Sequence, residues 1–113
     1  MNEVGGNFCL EMQGLTGREM DAIWKKLLLM CFGENWEFAQ YVNGIRFVDR
    51  LKKFNTFKFE IWTTLGDRNE EFDRQTVREM RNEFRVKLHA LISPIRDFHP
   101  ELLIFHDHAK KKF

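Results

Sequence analysis

Cysteine is scarce in this chain: Cys9 and Cys31 are the only two in 113 residues. Two thiols make no disulfide framework, and neither sits in a metal-ligand spacing, so both are expected in the reduced form. Long apolar runs are missing too. None approaches the roughly 20 residues needed to cross a bilayer, and the N-terminus lacks the basic-then-apolar pattern of a secretory signal. The location expected on these grounds is cytoplasmic. Nor is there an excess of one charge: 18 Lys and Arg face 17 Asp and Glu, a net +1, so a basic site must come from local clustering. There is no glycine-rich phosphate loop and no nucleophile with a base and an orienting acid, which argues against an enzyme.

Aromatic residues are what the chain has in quantity. Twelve Phe and three Trp accompany 43% hydrophobic and 31% charged residues, the balance of a soluble globular protein. A length of 113 residues allows one domain, spanning 1–113, that buries on the order of two-thirds of its unfolded surface.

The most informative stretch runs from Asn43 to Thr64 and predicts two β-strands, Gly44 to Arg50 and Phe57 to Thr64. Successive strand side chains point to opposite faces. Lys58, Glu60, Trp62 and Thr64 therefore share one face while Phe57, Phe59 and Ile61 share the other. In the partner strand, Arg46, Val48 and Arg50 separate in the same way from Ile45 and Phe47. One face is core; the other carries two Arg, a Lys, a Glu and a Trp. An aromatic plate beside cations suits a ligand that is part ring and part phosphate. On the residues alone, a solvated face with cross-strand ion pairs competes evenly with that reading.

The remaining elements follow in order. Gly5-Gly6 predicts a turn, and Phe8, Leu10 and Met12 alternate with Cys9 and Glu11 as a half-buried strand. Thr16 with Glu19 forms a capping box that opens a helix running to Phe32, stopped by Gly33. Met20, Ile23, Trp24, Leu27, Met30 and Cys31 are its core stripe, and Leu29 projects to the opposite side beside Lys25 and Lys26. The connection from Glu34 to Val42 carries Trp36, Phe38 and Tyr41, expected to plug the side of the core. A second helix is predicted over Glu70–Leu91, buried through Val77, Met80, Phe84, Leu88 and Leu91, with Arg74, Arg78, Arg81 and Arg85 interleaved with acids on a solvated face. Glu101 to Phe105 reads as the last strand. His106 and His108 share a face beyond it but lack a third metal ligand nearby, and Lys110, Lys111 and Lys112 offer further cations for phosphate.

Asn43-Gly44, then Arg50, then Lys58 four residues before Trp62 in Ile61-Trp62-Thr63-Thr64 resembles the messenger-RNA cap-binding translation initiation factor 4E family. Gly5-Gly6-Asn7-Phe8 resembles that family's Gly-Gly-Arg-Trp strand start. Ile23-Trp24 through Gly33-Glu34 resembles its dorsal helix, and His108-Ala109 the start of its cap-proximal loop. The resemblance implies an α+β fold, a curved antiparallel sheet with two long helices packed on its convex face. It also implies binding of the 7-methylguanosine triphosphate cap of messenger RNA. By that resemblance Trp62 would take the methyl contact, and Arg50 and Lys58 would hold the phosphates. The hairpin loop is about three residues longer than the family norm, so Lys52 or Lys53 competes with Lys58 for that role. His108 and Lys111 are further cap-side candidates.

On the dorsal helix the resemblance implies a surface for the scaffold initiation factor or repressors, with Trp24, Lys25, Lys26 and Leu29 as the partner-binding candidates. Leu29 matches an apolar position there. Lys25 and Lys26 stand where the family has another apolar residue and a Glu, so a partner motif that offers a cation would be repelled. The family's two base-sandwiching tryptophans and its guanine-reading Glu lie upstream of its Gly-Gly, before the first residue of this sequence. A chain starting at Met1 is therefore expected to resemble the C-terminal half to two-thirds of such a protein, with an exposed sheet edge that favours self-association. The alternative function is a 4E-like protein-interaction or regulatory module without cap binding; a generic RNA-binding α/β domain ranks third. No cofactor is implied.

Overall fold

A computed structural model of the chain describes residues 5–33, 37–50 and 56–108. Among these residues four antiparallel strands form one curved sheet: β1 (Gly6–Gln13), β2 (Val42–Arg50), β3 (Thr56–Thr63) and β4 (Ile104–Asp107), in the spatial order β2-β3-β1-β4. Two helices, α1 (Gly17–Phe32) and α2 (Arg74–Ile92), complete the α+β architecture.

The period-2 alternation of each strand sets the core. Leu10 lies opposite Phe59, which lies opposite Phe47; Phe8, Ile61 and Ile45 form the next row. A one-residue slip would turn these side chains outward, so the apolar pattern locks the register. The helices cover this face. Ile23, Leu27 and Cys31 of α1 and Val77, Phe84, Leu88 and Ile92 of α2 are buried, and the Phe84 ring stacks on Phe8 at 4.8 Å. The capping box of α1 forms as expected: Thr16 Oγ1 accepts from the Glu19 amide, and Glu19 Oε1 accepts from the Thr16 amide. Gly14, at φ 67°, supplies the left-handed residue that turns β1 toward α1.

Several boundaries differ from the sequence expectation, each for a local reason. Gly6 belongs to β1, not to a turn, because β4 passes so close that a Cβ there would collide with the His106 carbonyl oxygen and the Phe105 ring. The strand β2 starts at Val42 and absorbs a bulge between Val42 and Gly44. The second helix begins at Arg74 rather than Glu70. Asn69 Oδ1 accepts from the amides of Glu71 and Phe72 and holds them in a turn, and Asp73 then caps the helix through the Thr76 amide. The last strand is displaced from Glu101–Phe105 to Ile104–Asp107, since Pro100 opens a 3-10 turn over Pro100–Leu102. Phe38 is buried and Tyr41 half-buried, as expected for a plug; Trp36 lies outside the described residues.

The expectation of a solvated arginine face on α2 is also corrected. Arg81 turns inward, forms ion pairs with Asp67 at 3.0 Å and Asp107 at 3.6 Å, and lies 4.6 Å over the Phe105 ring. Two buried carboxylates beside the β4 edge draw it there, and Asp107 Oδ2 also accepts from the Asp67 amide at 2.8 Å.

Candidate functional site

The sheet face turned away from the helices gathers the charged residues of three strands. Arg46 lies opposite Glu60, Val48 opposite Lys58, and Gly44 opposite Trp62 on β2 and β3. On the other side of β3, Glu11 pairs with Lys58, Cys9 with Glu60, and Asn7 with Trp62. The face is laced by ion pairs. Glu60 Oε2 lies 3.3 Å from Lys58 Nζ, and its Oε1 lies 3.7 Å from Arg46 Nη1. Arg50 Nη1 donates to Glu11 Oε2 at 3.3 Å, and the same oxygen accepts from Thr56 Oγ1 at 2.7 Å. Arg46 and Lys58 thus pair with Glu60, and Arg50 with Glu11.

Trp62 closes one end of this row. Its half-buried ring meets that of His108 at a centroid distance of 4.6 Å, tilted by 56°. Asn7 Oδ1, buried below, lies 2.9 Å from His108 Nε2, and the His108 amide donates to the Gly5 carbonyl. His108 is therefore fixed against Trp62 from two directions, covering part of the indole. At the other end, beside Lys58, a hollow of about 590 Å³ opens over β1, flanked by β3 and β4, with Glu11, Thr56, Cys9 and His106 among its walls. Burial raises the Cys9 thiol pKa above its ordinary value, the neighbouring Lys58 only partly opposing it. Among the described residues no group of three or more His, Cys, Asp or Glu side chains is placed to hold a metal ion.

The structure thus brings Trp62, Lys58, Arg50 and His108 onto one face. Lys52, Lys53 and Lys111 lie outside the described residues. The dorsal candidates divide: Trp24 is half-buried, edge-on to Phe47 at 6.2 Å, whereas Lys25, Lys26 and Leu29 face solvent. Lys25 pairs with Asp21 at 3.0 Å. Leu29 is 73% exposed and Phe32 59%, with Leu28 beside them. Phe32 and Leu28 extend the exposed apolar patch, a feature that helical spacing from Leu29 could have revealed. Sequence reading also missed the parts of Thr56, which shares the face of Lys58 on β3, and of Asn7 and Glu11, which only the β1–β3 pairing brings to this face.

A curved antiparallel sheet backed by two helices, with an aromatic ring and three cations on its open face, defines an α+β protein. A family model described as eukaryotic initiation factor 4E matches residues 1–112. The chain belongs to the eukaryotic initiation factor 4E family. No individual curated protein sequence matches it. No helix among the described residues is long and apolar enough to cross a membrane.

Proposed function

We propose that the open face binds the 5′ cap of messenger RNA, with the 7-methylguanine base against Trp62 and the phosphates held by Arg50 and Lys58. The observation that carries this reading is the common orientation of Trp62 and Lys58 on β3, with Arg50 across the ladder from Thr56, in a chain of the factor 4E family. A methylated base carries delocalised positive charge and gains from an aromatic face. Guanidinium and ammonium groups pair with phosphate. The cations already hold Glu11 and Glu60, so phosphate must compete with them, and binding is expected to be weak and salt-sensitive. Titration with 7-methyl-GTP and GTP tests this: a larger response of the Trp62 indole to the methylated nucleotide supports it, and equal responses contradict it. Lys52, Lys53 and Lys111 are auxiliary phosphate contacts in this reading, and the site is cytoplasmic.

A second reading, a protein-interaction module of the same family, is favoured by the exposed Leu28, Leu29 and Phe32 on α1. In that case a scaffold factor or repressor docks on this helix beside Lys25 and Lys26, and the outer sheet strands β2 and β4 support self-association. Substituting Leu29 with Asp separates the two, since it spares nucleotide binding and abolishes docking.

A further inference from the structure

Glu60 is an anomaly on the open face. It is 8% exposed, more enclosed than any other charged residue of the open face, and its Oε1 has no hydrogen-bond partner. Its nearest cation at that oxygen is Arg46 at 3.7 Å, too long for a hydrogen bond, and the Arg46 side chain is 64% exposed. Burying a carboxylate oxygen without a donor is costly. Lys58 satisfies the other oxygen, Oε2, at 3.3 Å. One acceptor is therefore left over on a face otherwise built of matched pairs.

Its position says what the missing donor is. Lys58, Glu60 and Trp62 lie on one face of one strand, and alternate residues of a strand stand about 6.7 Å apart. A nucleoside phosphate presents base, sugar and phosphate in that order. With the base on Trp62 and the phosphates at Lys58, the sugar falls at Glu60. A ribose in a cap has free 2′ and 3′ hydroxyls because the phosphate chain leaves from its 5′ carbon, so it offers two donors on adjacent carbons. Carboxylates accept such hydroxyls, and charge-assisted hydrogen bonds of this type are the strong ones. Arg46, mostly in solvent, can swing aside to admit them.

We propose that Glu60 reads the ribose, with Oε1 accepting from a sugar hydroxyl, so that the site selects ribonucleotides over deoxyribonucleotides. This rests on the cap-binding reading above and adds sugar selectivity to it. The acid simultaneously restrains Lys58, so sugar and phosphate recognition are coupled through one side chain.

The test compares 7-methyl-GTP with its 2′,3′-dideoxy analogue on the full chain, and repeats both with Glu60→Gln and Glu60→Ala. The dideoxy compound is expected to bind about tenfold more weakly to the native chain, in line with one lost charge-assisted hydrogen bond. The two compounds are expected to converge in Glu60→Ala and to differ less than in the native chain in Glu60→Gln, whose amide oxygen still accepts but without the charge; in both variants inorganic triphosphate binds at least as well as before because Lys58 has lost its competitor. If the native chain binds both compounds equally, the ribose assignment is overturned and the cap reading stands. If neither compound binds, both are overturned. The native comparison needs no variant, so a misfolded Glu60→Ala protein does not spare the proposal.

Discussion

Two charge clusters of this molecule look alike in the sequence and differ in their degree of completion. Beside the β4 edge, Arg81 pairs with both Asp67 and Asp107, Arg78 reaches Asp67 at 3.6 Å, and the Asp67 amide closes onto Asp107. On the open face, Glu60 sits between Arg46 and Lys58 with one oxygen lacking a hydrogen bond. The first cluster joins α2, the turn after β3 and the β4 edge. The second has a vacancy in its bonding. A completed buried network fixes structure, whereas the incomplete one on the accessible face is the place proposed above for a ligand hydroxyl.

The largest effect expected from breaking this contrast is on stability. Arg81→Ala leaves two buried aspartates short of their shared partner, and removing one member of a buried pair costs about 3 kcal/mol. The melting temperature should fall by roughly 10 °C or more for a domain of this size. Thermal unfolding followed by circular dichroism measures it. Nucleotide binding below the transition should be unchanged, and a selective loss of binding would show that the two clusters are not separate.

Trp62→Ala should do the reverse, removing about 1 to 3 kcal/mol of nucleotide affinity with little change in melting. Calorimetric titration with 7-methyl-GTP reads it. A variant that binds as well as the native chain would place the base elsewhere. Arg50→Ala and Lys58→Ala come next. Each should weaken 7-methyl-GTP by roughly fivefold, on the order of 1 kcal/mol, and affect 7-methylguanosine far less. Raising the salt should mimic both substitutions. Salt-independent binding would contradict the phosphate assignment.

The smallest effects concern groups remote from both clusters. Glu19 has a lowered pKa, chiefly through its bond from the Thr16 backbone amide, and Asp73 through its bond from the Thr76 amide. A lowered folded pKa means that each carboxylate stabilises the fold fully above its ordinary value, and that this contribution disappears as pH falls through the lowered one. Glu19→Gln should therefore flatten the acid limb of the stability profile below about pH 4.5. An unchanged limb would show that the cap does not persist in solution. Burial pushes the Cys31 thiol up to about 12 and also raises Cys9, but Cys9 is the more accessible of the two. A thiol reagent at pH 8 should label Cys9 first.

The open face was legible because its logic is local. Period-2 alternation in β3 puts Lys58, Glu60 and Trp62 together whatever the strand pairs with, and the Thr16–Glu19 capping box names its own helix. What stayed hidden depends on long-range pairing. That β1 lies between β3 and β4 brings Asn7 under Trp62 and Glu11 to Arg50, and nothing in either segment encodes that choice alone. The same holds for Arg81. On a helical wheel it belongs with the solvated arginines, and only Asp67 and Asp107, arriving from two other segments, turn it inward. The late start of α2 was readable in part, since Asn69 and Asp73 are both residues that compete with helix by bonding their own backbone.

In the proposed function the open face, not the helical one, receives the nucleotide. The most direct measurement is a titration of the nitrogen-15-labelled chain with 7-methyl-GTP, followed through the indole signals of Trp62 and Trp24. These two rings lie on opposite sides of the sheet, one against His108 and the other against Phe47. A saturable shift of the Trp62 indole with the amides around Lys58 and Glu60, larger than GTP produces, is expected, while Trp24 stays still. Movement of Trp24 and the α1 amides with Trp62 unmoved would contradict it.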